Sequence, residues 1–269
     1  SVGAINMERL NLVSSIMHQC DEFVRNVYIP DVIAIGNLYH NWLYGGGLSS
    51  KAVMAYGDIP EHANDFSPGQ LHLPRGAIID GDLSTIHDVD VRDPEQIKEY
   101  VGHSWYQYED ESVGLHPWEG VTDPKFALGP KTVGTKTDIK ALDEEAKYSW
   151  IKAPRWKGHA MEVGPLARYI IGYAGGHEDI RNQVDGLLRT MDLPVEALFS
   201  TLGRTAARAL EAEYCVRLQR HFFDKLVRNI KNGDSATANV AKWDPETWPK
   251  EAKGVGMTEA PRGALGHWI

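Results

Sequence analysis

The feature that most constrains the fold is a long apolar repeat between Val195 and Ile230. Its apolar residues recur mostly every four positions, at Leu198, Leu202, Ala206, Leu210, Leu218, Phe222, Leu226 and Ile230. This spacing places them along one face of an α-helix, and such a face is stable in water only when other elements cover it. The repeat therefore predicts a long buried helix, which ends at Gly233.

Further helices are predicted from apolar spacing and from residues that favour helix ends. The opening run begins near Met7, and Pro30 is expected to close it because the proline ring does not continue a helix. Another helix begins with Pro165 in its first turn and stops at Gly175-Gly176. The predicted helices span residues 7 to 30, 95 to 101, 138 to 148, 165 to 174, 180 to 189 and 195 to 230.

The remaining segments are predicted as turns, short strands and ordered loops. Residues 45 to 90 combine glycine and proline with short apolar pairs, a texture typical of hairpins. Residues 103 to 136, and the segment from 244 that leads to 258–268, are expected to be loops. The predicted fold is mainly α with minor short β segments (α+β), built on a helical-bundle core in a single domain of residues 1–269.

Charge and hydropathy exclude two classes of partner. The chain carries 37 acidic and 28 basic residues, and its formal charge of -9 would repel the phosphate backbone of a nucleic acid. No run approaches the roughly 20 apolar residues that a membrane-spanning helix needs. We therefore expect no nucleic-acid partner and no direct membrane insertion.

The cysteines argue against a metal centre held by this chain alone. Cys20 and Cys215 are the only two, and neither belongs to a Cys-x-x-Cys motif. The eleven histidines include no His-x-x-x-His pair. A disulfide framework and the usual zinc or iron–sulfur spacings are thus excluded. We expect two buried thiols that pack as small apolar groups, and no metal ligand.

The tetrapeptide Ala260-Pro261-Arg262-Gly263 is the most specific candidate site. Proline fixes one backbone angle and glycine permits close approach of the main chain, so an arginine between them has little freedom. The planar guanidinium suits small anions with several acceptor atoms. The structural alternative, a buried arginine paired with a carboxylate, is favoured by spacing alone, since Ala153-Pro154-Arg155 repeats the same tripeptide elsewhere.

Six stretches spread along the chain carry a more specific signal together than any does alone. They are Val27 to Val32, Trp42 to Gly47, His103 to Trp118, Tyr148 to Arg155, Met161 to Arg168 and Glu259 to Trp268. Together they resemble the large subunit of nickel–iron hydrogenases, and most closely the membrane-bound, hydrogen-uptake group. The resemblance runs nearly from end to end.

The resemblance implies that this sequence is the central part of that subunit, truncated at both ends. In the family, four cysteine thiolates from two Cys-x-x-Cys motifs hold a nickel and an iron, and the iron carries CN and CO. Because neither motif occurs here, the ligand-bearing N- and C-terminal segments, with a carboxyl-terminal magnesium site, are expected to lie outside it. No cofactor is therefore expected on this piece alone.

The resemblance also implies roles for four residues. Arg262 matches the family's arginine above the bimetallic site, and Pro261 and Leu265 match residues that line the pocket of the diatomic ligands. Ala260 helps to shape that pocket. The guanidinium could donate hydrogen bonds to cyanide. Arg262 is also a candidate catalytic base, with a terminal thiolate as an equal alternative because arginine is rarely deprotonated.

The activity implied is reversible heterolytic cleavage of H2. A proton passes to a base, and two electrons leave through an iron–sulfur small subunit. The two subunits are expected to be exported together and to lie on the periplasmic side of the cytoplasmic membrane, without insertion. Two other hypotheses are a metal-free scaffold related to a subunit of quinone-reducing respiratory complexes, and an independent interaction domain. Retention of Ala260-Pro261-Arg262-Gly263 argues against the scaffold, which has no cyanide to bind.

Overall fold

A computed structural model describes residues 5–126, 131–133, 136–139, 142, 144, 146–234, 236, 240 and 243–269. The α-helices in these ranges are α1 (Met7–Phe23), α2 (Ile29–Leu38), α3 (Pro165–Ala174), α4 (Glu178–Met191) and α5 (Thr201–Lys231). The strands are β1 (Val53–Pro60), β2 (Leu71–Ile78), β3 (Ile97–Tyr100), β4 (Lys131–Val133), β5 (Lys136–Ile139), β6 (Ala153–Trp156), β7 (Val255–Ala260) and β8 (Gly263–Trp268). The predicted mainly α fold with short β segments is confirmed.

The strands pair into small antiparallel ribbons. Across the described ranges the two-stranded pairs are β1–β2, β3–β6, β4–β5 and β7–β8. The β1–β2 hairpin, which fulfils the prediction for residues 45 to 90, pairs Val53 with Ile78 and Pro60 with Leu71. Two-stranded ribbons are marginal in water by themselves, so each depends on helices or other ribbons packed against it.

Helix α3 lies at the centre of the main apolar core. Eight of its residues are buried, from Pro165 to Gly172, and it packs against β1, β2, α4 and α5. The core around it includes Val53, Ile78, Ile170, Ile180, Val184 and Leu210. A helix that is covered on all sides is held by packing more than by its own propensity. Its bounds agree with the prediction for residues 165 to 174.

The long carboxyl-terminal repeat forms two elements instead of one. Val195–Leu198 is a 3-10 turn, and α5 begins after Ser200. The hydroxyl of Ser200 accepts a hydrogen bond of 2.9 Å from the amide of Gly203, which caps the new helix. The predicted helix from 180 to 189 is confirmed within α4.

The prediction that Pro30 closes the opening helix is wrong. The chain passes from α1 through a π-helical turn, Val24–Tyr28, directly into α2, where Pro30 lies in the first turn. Proline lacks an amide hydrogen, and the wider π turn accommodates that loss while the helical path continues. The apolar face of α1 is also not buried within the described chain, and Cys20 is exposed, contrary to the predicted buried thiol.

Two predicted short helices are wrong. Residues 97–100 form β3, which pairs with β6, and the Asp93 carboxylate accepts from the Glu95 amide at 3.0 Å in a turn rather than a helix. In the predicted helix from 138 to 148, Asp138 and Ile139 lie in β5, and Leu142 bridges to Phe126. Both segments are short, so pairing with distant residues outweighs weak helical signals.

The chain ends in a hairpin, whose first strand begins inside the loop that was predicted to lead to residues 258–268. β7 and β8 pair from Val255–Trp268 to Ala260–Gly263. Half-buried and exposed residues largely alternate along both strands, but Gly256, Gly263 and Gly266 leave no clear alternation of apolar and polar residues in the sequence. In the described ranges, no helix combines the length and the apolar character that crossing a bilayer requires.

Candidate active-site hairpin

The turn between β7 and β8 contains the predicted site residues. Ala260 pairs with Gly263, so Pro261 and Arg262 are the two residues of the turn. Gly263 has a φ of +145°, a backbone conformation that side chains with a Cβ rarely adopt. The glycine of the tetrapeptide is therefore required by the turn itself.

The hairpin turn packs closely against the loop that precedes α3. A Cβ atom at position 263 would lie 2.4 Å from Cγ2 of Val163, and one at Gly164 would lie 2.8 Å from the carbonyl oxygen of Arg262. Both separations are shorter than a van der Waals contact allows. The two glycines thus let two stretches of main chain come together at the start of α3.

A buried arginine beneath the turn holds its main chain. Arg168 is fully buried in α3, and its guanidinium donates to the carbonyl oxygens of Ala260 at 3.1 Å and Pro261 at 3.4 Å. Both bonds come from α3, which lies on the buried side of the turn. The backbone that carries Arg262 is consequently fixed by a side chain distant in sequence.

The same guanidinium pairs with two carboxylates. Arg168 donates to both oxygens of Glu211 on α5, at 2.6 and 2.5 Å, and to Oε2 of Glu259 on β7 at 2.7 Å. Two-pronged arginine–carboxylate pairs fix orientation as well as charge. One cation between two buried anions links α3, α5 and the candidate hairpin.

Burial sets the electrostatics of this network. Desolvation raises the pKa of Glu259, although its hydrogen bond and attraction to Arg168 oppose the rise. Desolvation would lower the pKa of Arg168, but the bonds to Glu211 and Glu259 outweigh it and the pKa is raised. Arg168 therefore stays charged, and burial makes Glu259 harder to ionise than a carboxyl in water.

Three further hydrogen bonds fasten β7 to β1. Oε1 of Glu259 accepts from the Tyr56 amide at 2.5 Å, and Oδ2 of Asp58 accepts from the Glu259 amide at 2.8 Å. The hydroxyl of Thr258 donates to the same oxygen of Asp58. The hairpin is thus tied to β1 as well as to α3 and α5 before its turn is reached.

The predicted site residues differ in exposure. Arg262 and Pro261 are exposed, Ala260 is half-buried, and Leu265 on β8 is 44% exposed. Among the residues that the structure describes, the Arg262 side chain has no hydrogen bond or ion pair. The structural alternative, a buried arginine paired with a carboxylate, is therefore wrong for Arg262 and describes Arg168 instead.

The residues that position the turn were missed at the level of sequence. Arg168, Glu211 and Asp58 are far from the tetrapeptide along the chain, and no spacing rule connects them to it. One signal was present, because Arg168 is the single charged residue in the apolar helix from Pro165 to Ala174. A charge there needs a buried partner.

The two cysteines of this chain differ in their surroundings. Cys20 is exposed on α1 and Cys215 is half-buried on α5. Desolvation, followed by the nearby Glu211, raises the pKa of the Cys215 thiol to about 11. A protonated lone thiol is a poor metal ligand. Neither thiol therefore has the surroundings of a reactive, metal-binding thiolate within the described chain.

Comparison with known proteins decides the family. All of residues 1–269 match the model of the nickel-dependent hydrogenases. The chain belongs to this family.

Nickel-dependent hydrogenases of several bacteria are similar along the whole chain. The uptake hydrogenase large subunit of Rhodobacter capsulatus is 73% identical over 269 residues, which are 100% of this chain and 45% of that protein. The uptake hydrogenase large subunit of Bradyrhizobium diazoefficiens is 65% identical with the same coverage. The chain thus spans a little under half the length of these relatives.

Solved hydrogenase structures have the same fold. The Ni-Fe-Se hydrogenase of Desulfovibrio vulgaris Hildenborough matches with a TM-score of 0.70 and 27% identity, over 98% of this chain and 48% of that one. A reduced, active Ni-Fe-Se hydrogenase of Desulfomicrobium baculatum matches with a TM-score of 0.69 and 27% identity, over 97% and 47%.

Proposed function

We propose that this chain is the central part of the large subunit of a nickel–iron uptake hydrogenase, which cleaves H2 reversibly and heterolytically. Its membership of the nickel-dependent hydrogenases and the names of its relatives support this function. The partner is an iron–sulfur small subunit that receives the electrons. The complex lies at the periplasmic side of the cytoplasmic membrane, as is typical of the uptake group that the sequence resembles.

The observation that carries this proposal is the contrast between Arg262 in the candidate hairpin and Arg168 in α3 beneath it. Arg168 is buried and holds the carbonyl groups of the turn, whereas Arg262 is exposed and makes no bond within the described chain. An exposed cation on a fixed main chain loses little freedom when it binds a ligand. Such an arrangement favours an arginine that acts on a group supplied by another segment.

The group that fits is an iron that carries CN and CO, held by thiolates outside this chain. When bound, the nickel–iron centre supplies the site at which H2 is activated. Arg262 would donate hydrogen bonds to a cyanide nitrogen, and such charge-assisted bonds strengthen where water is excluded. Pro261 and Leu265 would line the pocket of the diatomic ligands, and Ala260 would leave room for them. Arg262, or a terminal thiolate outside this chain, would accept the proton released from H2.

The test compares two arginine variants in the assembled enzyme. Arg262→Lys keeps the charge but loses the planar fork, and Arg262→Met loses both. We expect H2 oxidation to fall by about 100-fold or more in Arg262→Met, as for the loss of one preorganised donor. The cyanide infrared bands should shift while the nickel content stays unchanged.

A matched control uses the other Ala-Pro-Arg tripeptide. Arg155 donates to the carbonyl oxygen of Pro154 at 2.8 Å on β6, and Arg155→Met should leave both readouts unchanged. Unshifted cyanide bands in Arg262→Met would contradict the proposed contact. Absence of nickel, CN and CO from the assembled enzyme would favour the scaffold hypothesis.

A further inference from the structure

Three potential metal ligands from separate elements meet at one carboxylate oxygen. His72 lies on β2 and His221 on α5, and the Nε2 atom of each lies 2.9 Å from Oε2 of Glu61, which directly follows β1. The three ligand atoms all lie within 4.8 Å of one another. Two imidazole nitrogens and one carboxylate oxygen are a donor set that zinc binds in proteins. We call Glu61, His72 and His221 the β2–α5 cluster.

The opposite side of the His72 ring is also held. Its Nδ1 atom lies 3.1 Å from the hydroxyl of the buried Tyr214, and its ring packs edge-on against Phe222. An imidazole that binds a metal through one nitrogen almost always makes a hydrogen bond through the other. Tyr214 therefore orients Nε2 of His72 towards Glu61.

A lysine occupies the second oxygen of the carboxylate. Lys225 donates to Oε1 of Glu61 at 2.8 Å and also to the Glu61 carbonyl oxygen. Lys225, His72 and His221 together lower the pKa of Glu61 to about 2, so the carboxylate is ionised at neutral pH. Because Oε1 is taken, Oε2 is the oxygen that faces the two imidazoles. The Lys225 charge opposes a second cation and limits the affinity of the site.

The two distances to Oε2 of Glu61 are compatible with tetrahedral ligation. With bonds of about 2.0–2.1 Å to the metal, neighbouring ligand atoms lie about 3.3 Å apart. The 2.9 Å separations would open by a few tenths of an ångström, within the reach of side-chain rotation. The side chains of Glu61, His72 and His221 are 29%, 24% and 43% exposed. An ion can therefore enter from solvent, and a water molecule can be its fourth ligand.

We infer that the β2–α5 cluster binds a divalent transition-metal ion of the zinc class through Oε2 of Glu61 and Nε2 of His72 and His221. The ion replaces the two imidazole hydrogen bonds that meet at Oε2. It joins the end of the β1–β2 hairpin to the second half of α5, elements that otherwise meet through hydrogen bonds and the packing of Leu73 on Tyr214 and Leu218. The expected role is structural.

The experiment measures zinc bound to the assembled protein that contains this chain. The protein is treated with a chelator, dialysed against micromolar Zn2+, and its bound zinc is compared with that of His221→Ala and Glu61→Gln. We expect the wild type to bind one more zinc ion per large subunit than either variant, or to bind it at least tenfold more tightly. Co2+ should give visible absorption bands that both variants lose.

His62→Ala is the matched control, because His62 is an exposed neighbour of Glu61 outside the cluster. It should bind zinc as the wild type does. Equal zinc in the wild type, His221→Ala and Glu61→Gln would overturn the inference, as would an equal loss in His62→Ala. Since Glu61→Gln could weaken the fold, His221→Gln serves as a milder second variant. A cluster held by hydrogen bonds alone predicts no cobalt bands in any of these proteins.

Discussion

Nη1 of Arg168 lies 2.7 Å from Oε2 of Glu259, and the same nitrogen donates to the carbonyl oxygen of Ala260. One buried cation thereby pairs with Glu259 on β7 and holds the turn that follows. The charge that anchors the hairpin and the charge offered at its tip belong to two different arginines, Arg168 and Arg262.

Loss of Arg168 should be strongly destabilising. Arg168→Met leaves Glu211 and Glu259 buried without a cation, and removal of one partner from a buried ion pair costs about 3–5 kcal/mol. We expect a lower thermal unfolding temperature and the loss of the tight turn. The unfolding temperature of Arg168→Lys should lie between those of the wild type and Arg168→Met. One ammonium cannot donate to all five acceptors that surround the planar guanidinium. Arg155→Met, on a partly exposed strand, should melt as the wild type does.

The close approach at Gly263 should not tolerate a methyl group. In Gly263→Ala the new Cβ would meet Val163 at 2.4 Å, and the residue would keep a φ of +145°. Strain of this kind costs roughly 1–3 kcal/mol. H2 oxidation by the assembled enzyme should fall together with thermal stability. Gly256→Ala on β7 has nothing within 4 Å of the new atom and is the control; an equal effect there would refute the argument.

Stability should fall in acid partly through Glu61. The folded-state pKa of Glu61 is lowered from 4.5 to about 2, first by the hydrogen bond from Lys225. A lowered pKa stabilises the folded state above pH 4.5, and that stabilisation is lost as the pH falls towards 2. In Glu61→Gln, the unfolding rate should therefore increase less steeply than in the wild type as the pH falls from 4.5 to about 2. The exposed Glu251 offers a control, and a Glu251→Gln profile should match the wild type.

When the chain is produced alone, the exposed apolar residues of α1 and α2 should cause it to self-associate. Leu12, Ile16 and Phe23 on α1 are 58%, 48% and 58% exposed, and Leu38 at the end of α2 is 80% exposed. Contiguous apolar surface of this kind drives association. Light scattering should detect oligomers, and a triple variant of the three α1 residues to glutamate should shift them towards monomer. A monodisperse wild-type monomer would be the contrary result.

Thiol labelling gives an independent measure of that surface. Cys20 is exposed on α1, whereas burial raises the pKa of Cys215 to about 11. With a maleimide at neutral pH, mass spectrometry should find Cys20 modified long before Cys215, because the thiolate is the reactive form. In the assembled enzyme Cys20 should be protected if other segments cover α1. Faster modification of Cys215 would be inconsistent with the structure.

Sequence by itself determined the elements whose signals are local. The first-turn Pro165 and the Gly175-Gly176 stop define α3, and apolar spacing defines most of α4 and α5. The tetrapeptide at 260–263 stood out for the same reason, because the constraints of proline and glycine act within their own peptide units. The assignment of metal-pocket roles to Arg262, Pro261, Leu265 and Ala260 stays a prediction.

Tertiary structure alone decided which arginine is buried and what lies beneath the turn. Arg168 is separated from Glu211 by 43 residues and from Glu259 by 91, so their pairing depends on how α3, α5 and β7 pack. The short strand β3 has the same dependence, since its hydrogen bonds come from β6. A helix satisfies its backbone within one segment, whereas a strand or a buried ion pair needs a distant partner that only the folded chain brings near.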